Sequence, residues 1–424
     1  MKLPRTKTFP FLCFPLLFLC LIIPRYLKTQ TRGPRPPAVP GPMLTDGTVD
    51  FDTPDFTLTL VRSSQTVAAL KPKSVQGFDF TPGDILVERS QDGFDQLGDL
   101  DLRVRTQDGG EWKSYSTAVT RTPVTALAVS AGELASSDLS PTLPVDIPLQ
   151  ITRTWVVDHG NLVLRFAIKN KTPTAVQIGA LGIPMVFNNV LANRTLDQAH
   201  AACSFYDPYI GEDAGYLQVT RLTGHGPALV VVPDGHTPFE AYAPVLGGRR
   251  GDSPQPFTDR TPRGVTFEGF YDWMVSSQAF AENEWKKAEQ WNPSTAITLG
   301  AGESKTFGLR FLVSNEIRGI EQTLASNGRP VAVGIPGYVL PMDMDVRLFL
   351  KYSRPVKTIA VEPAGAVTVR NDRSPNTAWN AYTLRGKTWG RARLTVTYQD
   401  GLVQTIHYRV MKSETEAVAD MGHF

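Results

Sequence analysis

The sequence predicts an all-β protein, a large antiparallel β-sandwich followed by a small Ig-like one. Three observations carry that expectation. In Asn161–Ile168, Leu162, Leu164, Phe166 and Ile168 alternate with Val163, Arg165 and Ala167, the period of a strand with one buried face. Glycine (35) and proline (33) are dense enough to supply many turns between short strands. No long stretch before residue 267 has helical periodicity.

Bulk composition narrows the class further. At 424 residues the chain is long for one domain, and 42% hydrophobic content is ample for a core. A net charge of +2 and no basic stripe interleaved with aromatics give no reason to expect nucleic acid. Cys13 and Cys20 lie in an apolar leader, so Cys203 is alone in the body and no internal disulfide or thiolate metal site can form there.

Taken in order, residues 1–30 read as a targeting segment, with Lys2, Arg5 and Lys7 before the apolar run Phe9–Ile23. The run is shorter than the roughly 20 residues a spanning helix wants, which fits a cleavable signal peptide. Pro24, Arg25 and Tyr26 stand where small residues would mark cleavage, which fits a retained signal anchor instead. Both place the body on the extracellular side, with a single membrane anchor in the second case. Residues 31–48 are a Pro-rich linker. Asn170-Lys171-Thr172 and Asn193-Arg194-Thr195 are N-glycan sequons that agree with a secretory route.

A large sandwich is expected over 49–330. It opens on Phe56, Leu58 and Leu60, and includes a hairpin from Leu100–Arg105 to Trp112–Ser116. Its longest hairpin should join Asn161–Asn170 to a strand through Val176 and Ile178, ending or lying on an edge at Pro184. Residues 267–293 fit a helical face and a strand about equally. After the Pro/Gly-rich segment 330–341, a compact set of short strands fills 340–411 with the size of an Ig-like sandwich. Residues 412–424 turn polar and helix-prone.

Two stretches concentrate acids and aromatic rings. Asp207, Tyr209, Glu212 and Asp213 share one loop, and Asp272, Trp273, Glu284, Trp285 and Trp291 share another. Rings stack on the apolar face of a sugar and acids accept its hydroxyls, so both are candidates for carbohydrate contact or for a domain interface. The plainer alternative is a set of aromatics capping the end of the sandwich. No catalytic residue is assigned, because glycoside hydrolysis needs two placed carboxylates and spacing alone places none. Asp92, Asp95, Asp99 and Asp101 do not match an EF-hand loop and read as solvated turn acids, Asp101 facing outward. The six histidines lack ligand spacing, so no metal and no cofactor is expected.

Several motifs resemble a family of large, mostly uncharacterised extracellular fungal and bacterial proteins that look like six-hairpin glycosidases. They are Ser64-Gln65-Thr66-Val67, Phe78-Asp79-Phe80-Thr81-Pro82-Gly83-Asp84, Leu97-Gly98-Asp99, Gly179–Met185 and Asp207-Pro208-Tyr209-Ile210-Gly211. Phe267–Tyr271, Glu282-Asn283-Glu284-Trp285, Trp291-Asn292-Pro293 and Pro336-Gly337-Tyr338 continue the series. The resemblance implies a mutarotase-like β-supersandwich ahead of an (α/α)6 toroid that holds the catalytic acid and base. It implies carbohydrate as partner, and a helical domain that would begin near residue 412. Two expectations follow: the non-catalytic β portion of a secreted glycoside hydrolase-like protein truncated before its catalytic domain, or a self-sufficient wall- or glycan-binding module.

Overall fold

The computed structural model describes residues 42–422, apart from 91–92, 107–109, 192, 246–269 and 373–377. The targeting segment and the linker up to residue 41 lie outside the described residues. Among those described, no helix is long and apolar enough to cross a membrane.

The prediction of an all-β fold holds. Three sheets make the larger body. One is a meander of Thr48–Asp52, Phe56–Val61 and Val67–Pro72. The second runs Ala241–Val245, Phe270–Ser276, Val176–Met185, Asp101–Arg105 and Lys113–Ser116, with Ile297–Leu299 paired beside Val176–Ile178. The third has eight strands, in the order Ser204–Tyr209, Tyr216–Arg221, Ala228–Asp234, Ser304–Ser314, Asn161–Asn170, Leu149–Asp158, Glu133–Asp138 and Thr125–Ala126. Alternate residues of these strands meet in one apolar core; Leu162, Leu164, Phe166 and Ile168 are all in it, as the period of two requires.

One expectation about that stretch is corrected. Asn161–Asn170 and Val176–Met185 are not a hairpin, because they belong to different sheets. Asn170 makes the crossing: its side-chain amide donates to the carbonyls of Thr174 (2.7 Å), Leu299 (3.0 Å) and Gly300 (3.0 Å). Pro184 stands as expected, one residue before the strand ends at Met185. Val176–Met185 is central, and Pro184 lies beyond Gly182, where pairing with Asp101–Arg105 has ended and only Phe270–Ser276 continues alongside. A proline is tolerated there because one side of the strand no longer needs its N–H.

Asn170 is 0% exposed, and its carbonyl oxygen accepts from the Thr172 N–H and hydroxyl. Reading it as a glycan acceptor is therefore corrected: the nitrogen that would carry the sugar is committed to three internal bonds. Asn193, the other sequon asparagine, is exposed.

Residues 278–282 form a short helix directly after the strand Phe270–Ser276, so the ambiguous stretch is one of each. The linker expectation is corrected at its end, since Met43 is buried against Val61 and Ala68. The small sandwich begins earlier than 340. Val331–Ile335 joins Asp345–Lys351, Asn380–Gly386 and Val367–Asp372 in one sheet. Val339–Pro341 joins Val403–Met411, Gly390–Tyr398 and Val356–Glu362 in the other, as the parallel partner of Val403–Met411. Its core, built on Leu348, Leu384, Leu394 and Ile406, is separate from the larger one. Glu414–Met421 is a helix with a Ser413/Glu416 capping box.

Candidate functional site

The loop of Asp207, Tyr209, Glu212 and Asp213 lies at the seam between the two sandwiches. Tyr209 donates its hydroxyl to the Thr405 carbonyl (2.9 Å) and accepts from the Gln404 amide (3.2 Å). Asp213 accepts from the Val403 N–H (3.1 Å) and lies 2.8 Å from the His236 ring, while Arg329 donates to its carbonyl. Glu212 sits at φ +55° and exchanges backbone hydrogen bonds with Phe239. Asp207 stays on the exposed edge strand, 3.5 Å from Gln218.

Electrostatics at the seam follow from burial. Glu212 is pushed up to about 8, first by loss of water and then by the charges of Glu240 and Asp213. His407, whose Nε2 lies 3.0 Å from the Ile210 carbonyl, is pushed down to about 4, chiefly by burial. Glu240 is buried and receives the Thr295 N–H at 3.1 Å on both oxygens, with the Ser277 and Thr295 hydroxyls beside it. Sequence reasoning passed over Glu240 and His407 because each stands alone in its segment.

The second candidate stretch is a strap across the outer face of the six-stranded sheet. Glu284 takes both arms of the Arg103 guanidinium, at 2.7 and 2.5 Å. Glu282 accepts from the Trp112 indole at 2.6 Å and from Arg105 at 3.3 Å. Trp285 stacks on Phe280 with ring centroids 4.7 Å apart. Trp273 is 0% exposed, stacked 4.0 Å from Phe239, and donates to the Pro238 carbonyl at 3.0 Å. Trp273 and Trp285 are thus core residues, which corrects their reading as contact residues: each sits on a face that the fold itself covers. Trp291 alone of the three is open, at 43% exposed, edge-on to His407 at 5.2 Å.

Of the aspartates read as solvated, Asp95 and Asp99 are buried and Asp101 is half-buried. Asp99 pairs with Arg121 at 2.9 and 3.0 Å. Asp95, Asp101 and Asp272 share one low-dielectric neighbourhood, and burial raises all three carboxyls. Asp272 leans over Gly182, where any side chain would come within 2.7 Å of its carboxylate. Asp92 lies outside the described residues. No group of three His, Cys, Asp or Glu among the described residues is arranged to hold a metal ion.

A small hollow is lined by Val67, Ala68, Leu86, Arg89, Gln96 and Val186 and has no acid. Another holds one, Asp99, already paired with Arg121. Neither presents two carboxylates to a common space, as bond cleavage between sugars would need.

Residues 59–424 match the model of DUF5695, described as a family of unknown function. No curated protein matches the sequence. The structure of a polysaccharide lyase superposes with a TM-score of 0.62 at 12% identity, over 86% of this chain and 47% of that one. The chain therefore spans about half the length of that lyase. A galactose mutarotase-like protein from Lactobacillus casei aligns at a TM-score of 0.37 and 10% identity, over 63% of this chain and 100% of that one. A putative aldose 1-epimerase from Escherichia coli aligns at 0.35 and 10%, over 63% and 99%.

Proposed function

This chain belongs to DUF5695, and from the state of its acids we propose that it is the non-catalytic β portion of a carbohydrate-active protein. The observation that carries the reading is the commitment of four carboxylates of the seam and the strap. Asp213, Glu240, Glu282 and Glu284 are each tied to donors inside the fold. Such acids hold a strap and a domain seam in place; they have no freedom to act as acid and base on a bound sugar. The chemistry belongs to a helical domain working beside this β body. The carbohydrate part of the reading is supported by the motif resemblance and by the lyase whose β architecture this chain shares. We place the protein in the secretory pathway, on the leader and the exposed Asn193.

The test combines two measurements on the chain. Release of reducing ends and appearance of unsaturated uronates are followed on a panel of neutral and acidic polysaccharides, and no turnover is expected. Retardation of the chain in gels containing the same polymers is expected for at least one of them. Turnover lost in Glu284→Gln or Asp213→Asn overturns the non-catalytic assignment, and free migration through every polymer overturns the carbohydrate one.

A further inference from the structure

One outer face of the small sandwich is divided by the seam. Along Val403–Met411, Thr405 and His407 are covered by the larger body: Thr405 N–H donates to Gly211, and His407 meets Ile210 and Trp291. The next two outward residues, Arg409 and Met411, are exposed. Arg391 stands directly opposite Arg409 on the neighbouring strand, and Val339 opposite it on the other side.

Two open indoles flank these arginines. Trp389, in the turn before Gly390–Tyr398, is 58% exposed, and its ring lies 5.4 Å from the Arg409 guanidinium. Trp291, at 43% exposed, reaches from the larger body to lie 5.5 Å from the Arg391 guanidinium. The result is a shelf in the order Trp389, Arg409, Arg391, Trp291, with one tryptophan from each sandwich. Arg391 is matched by Glu289 (3.2 Å), and Arg393, one step further, by Glu362. Arg409 is exposed and no carboxylate among the described residues pairs with it, and Lys387 adds a cation in the same turn as Trp389.

We propose that this shelf binds an acidic polysaccharide, a chain of pyranose rings bearing anionic groups. The inference rests on the carbohydrate reading above and adds the surface and the ligand class. The apolar face of a pyranose ring stacks on an indole, and a guanidinium fork takes a carboxylate on two N–H donors, so two indoles with arginines between them match sugar faces on either side of an anionic group. A ligand held this way supplies the carboxylate that Arg409 lacks. Nucleic acid would need a longer run of cations than this face has, and the chain as a whole carries only +2.

The chain is titrated calorimetrically with polygalacturonate, dextran sulfate, neutral dextran and a single-stranded DNA oligomer. Binding to polygalacturonate is expected, about tenfold weaker in Trp389→Ala and in Arg409→Gln and intermediate in Trp389→Phe. Phe205→Ala, on the exposed edge of the eight-stranded sheet, should leave it unchanged. Circular dichroism and melting temperature confirm that the variants are folded. Dextran sulfate binding with the same residue dependence supports the requirement for an anion on a sugar chain. Equal binding to neutral dextran, tighter binding to the oligomer, or indifference to both substitutions overturns the proposal. Failure of both acidic polymers to bind also overturns it, while retention by a neutral glycan leaves the carbohydrate reading standing.

Discussion

Single buried groups set the pH response of this protein, and two of them pull in opposite directions. The Asp101 carboxyl is pushed up to about 6, by burial first, with the charge of Asp99 adding to it. Unfolded, it titrates near 3.9. Between about pH 4 and 6 the unfolded chain has released a proton that the folded chain keeps, so this contribution to stability is lost as pH rises. Asp101→Asn removes that loss: relative to wild type it should gain on the order of 2 kcal/mol at pH 7 over pH 4 in urea denaturation. The same difference at both pH values would refute the assignment. His407 behaves in reverse. Its folded value of about 4 lies below the usual 6.5, so its contribution is lost as pH falls through that window. Wild type should therefore lose more melting temperature than His407→Gln between pH 7 and 5. Equal losses would mean that the imidazole is not held neutral by the seam.

At the scale of elements, the crossing at Asn170 and the strap at 278–291 have different anchors. Asn170 supplies the donor for three carbonyls at the point where the chain leaves one sheet for another. Asn170→Ala leaves those carbonyls without it and should cost about 3 kcal/mol in denaturation experiments. In a secretory eukaryotic host, peptide mass spectrometry should find a glycan on Asn193 and none on Asn170. A modified Asn170 in folded protein would contradict the structure. For the strap, acrylamide quenching separates the tryptophans: Trp291→Phe should lower the quenchable fraction of fluorescence, and Trp273→Phe should not. The reverse outcome would show that the strap does not lie as described.

Across the whole molecule, the cores of the two sandwiches are joined by a polar seam and by an apolar cluster in which Val331 of the smaller body packs with Val230, Leu312 and Leu324. The loop 209–213 bonds to residues 403–407 through one hydroxyl, one carboxylate and several backbone groups. Seams of this kind hold domains in register and are the first contacts to open. Tyr209→Phe keeps the ring and deletes the hydroxyl that serves Thr405 and Gln404, and should cost about 1–2 kcal/mol. The expected signature is a broadened or split melting transition in calorimetry. A sharp single transition at the wild-type temperature would show that the Tyr209 hydroxyl is not what couples the two bodies.

The sequence by itself determined the all-β class and most strands of the small sandwich, because period-two burial and turn residues are local signals that every strand must satisfy. Asp345–Lys351, Gly390–Tyr398 and Val403–Met411 lie where alternation places them. Which strand pairs with which was not local. The tight Asn170–Thr174 turn looks like a hairpin turn, and only the distant carbonyls of Leu299 and Gly300 make it a crossing between sheets. The same distinction divides the candidate site. Acids and rings gathered in 207–213 and 272–291 are visible in the sequence, but whether a carboxylate is free depends on partners far away. Arg103 meets Glu284 across 181 positions, and Val403 meets Asp213 across 190. Burial and pairing are properties of the packed whole, so the tertiary structure alone turned Asp213, Glu282 and Glu284 into fastenings and left Trp291, Trp389 and Arg409 open to solvent.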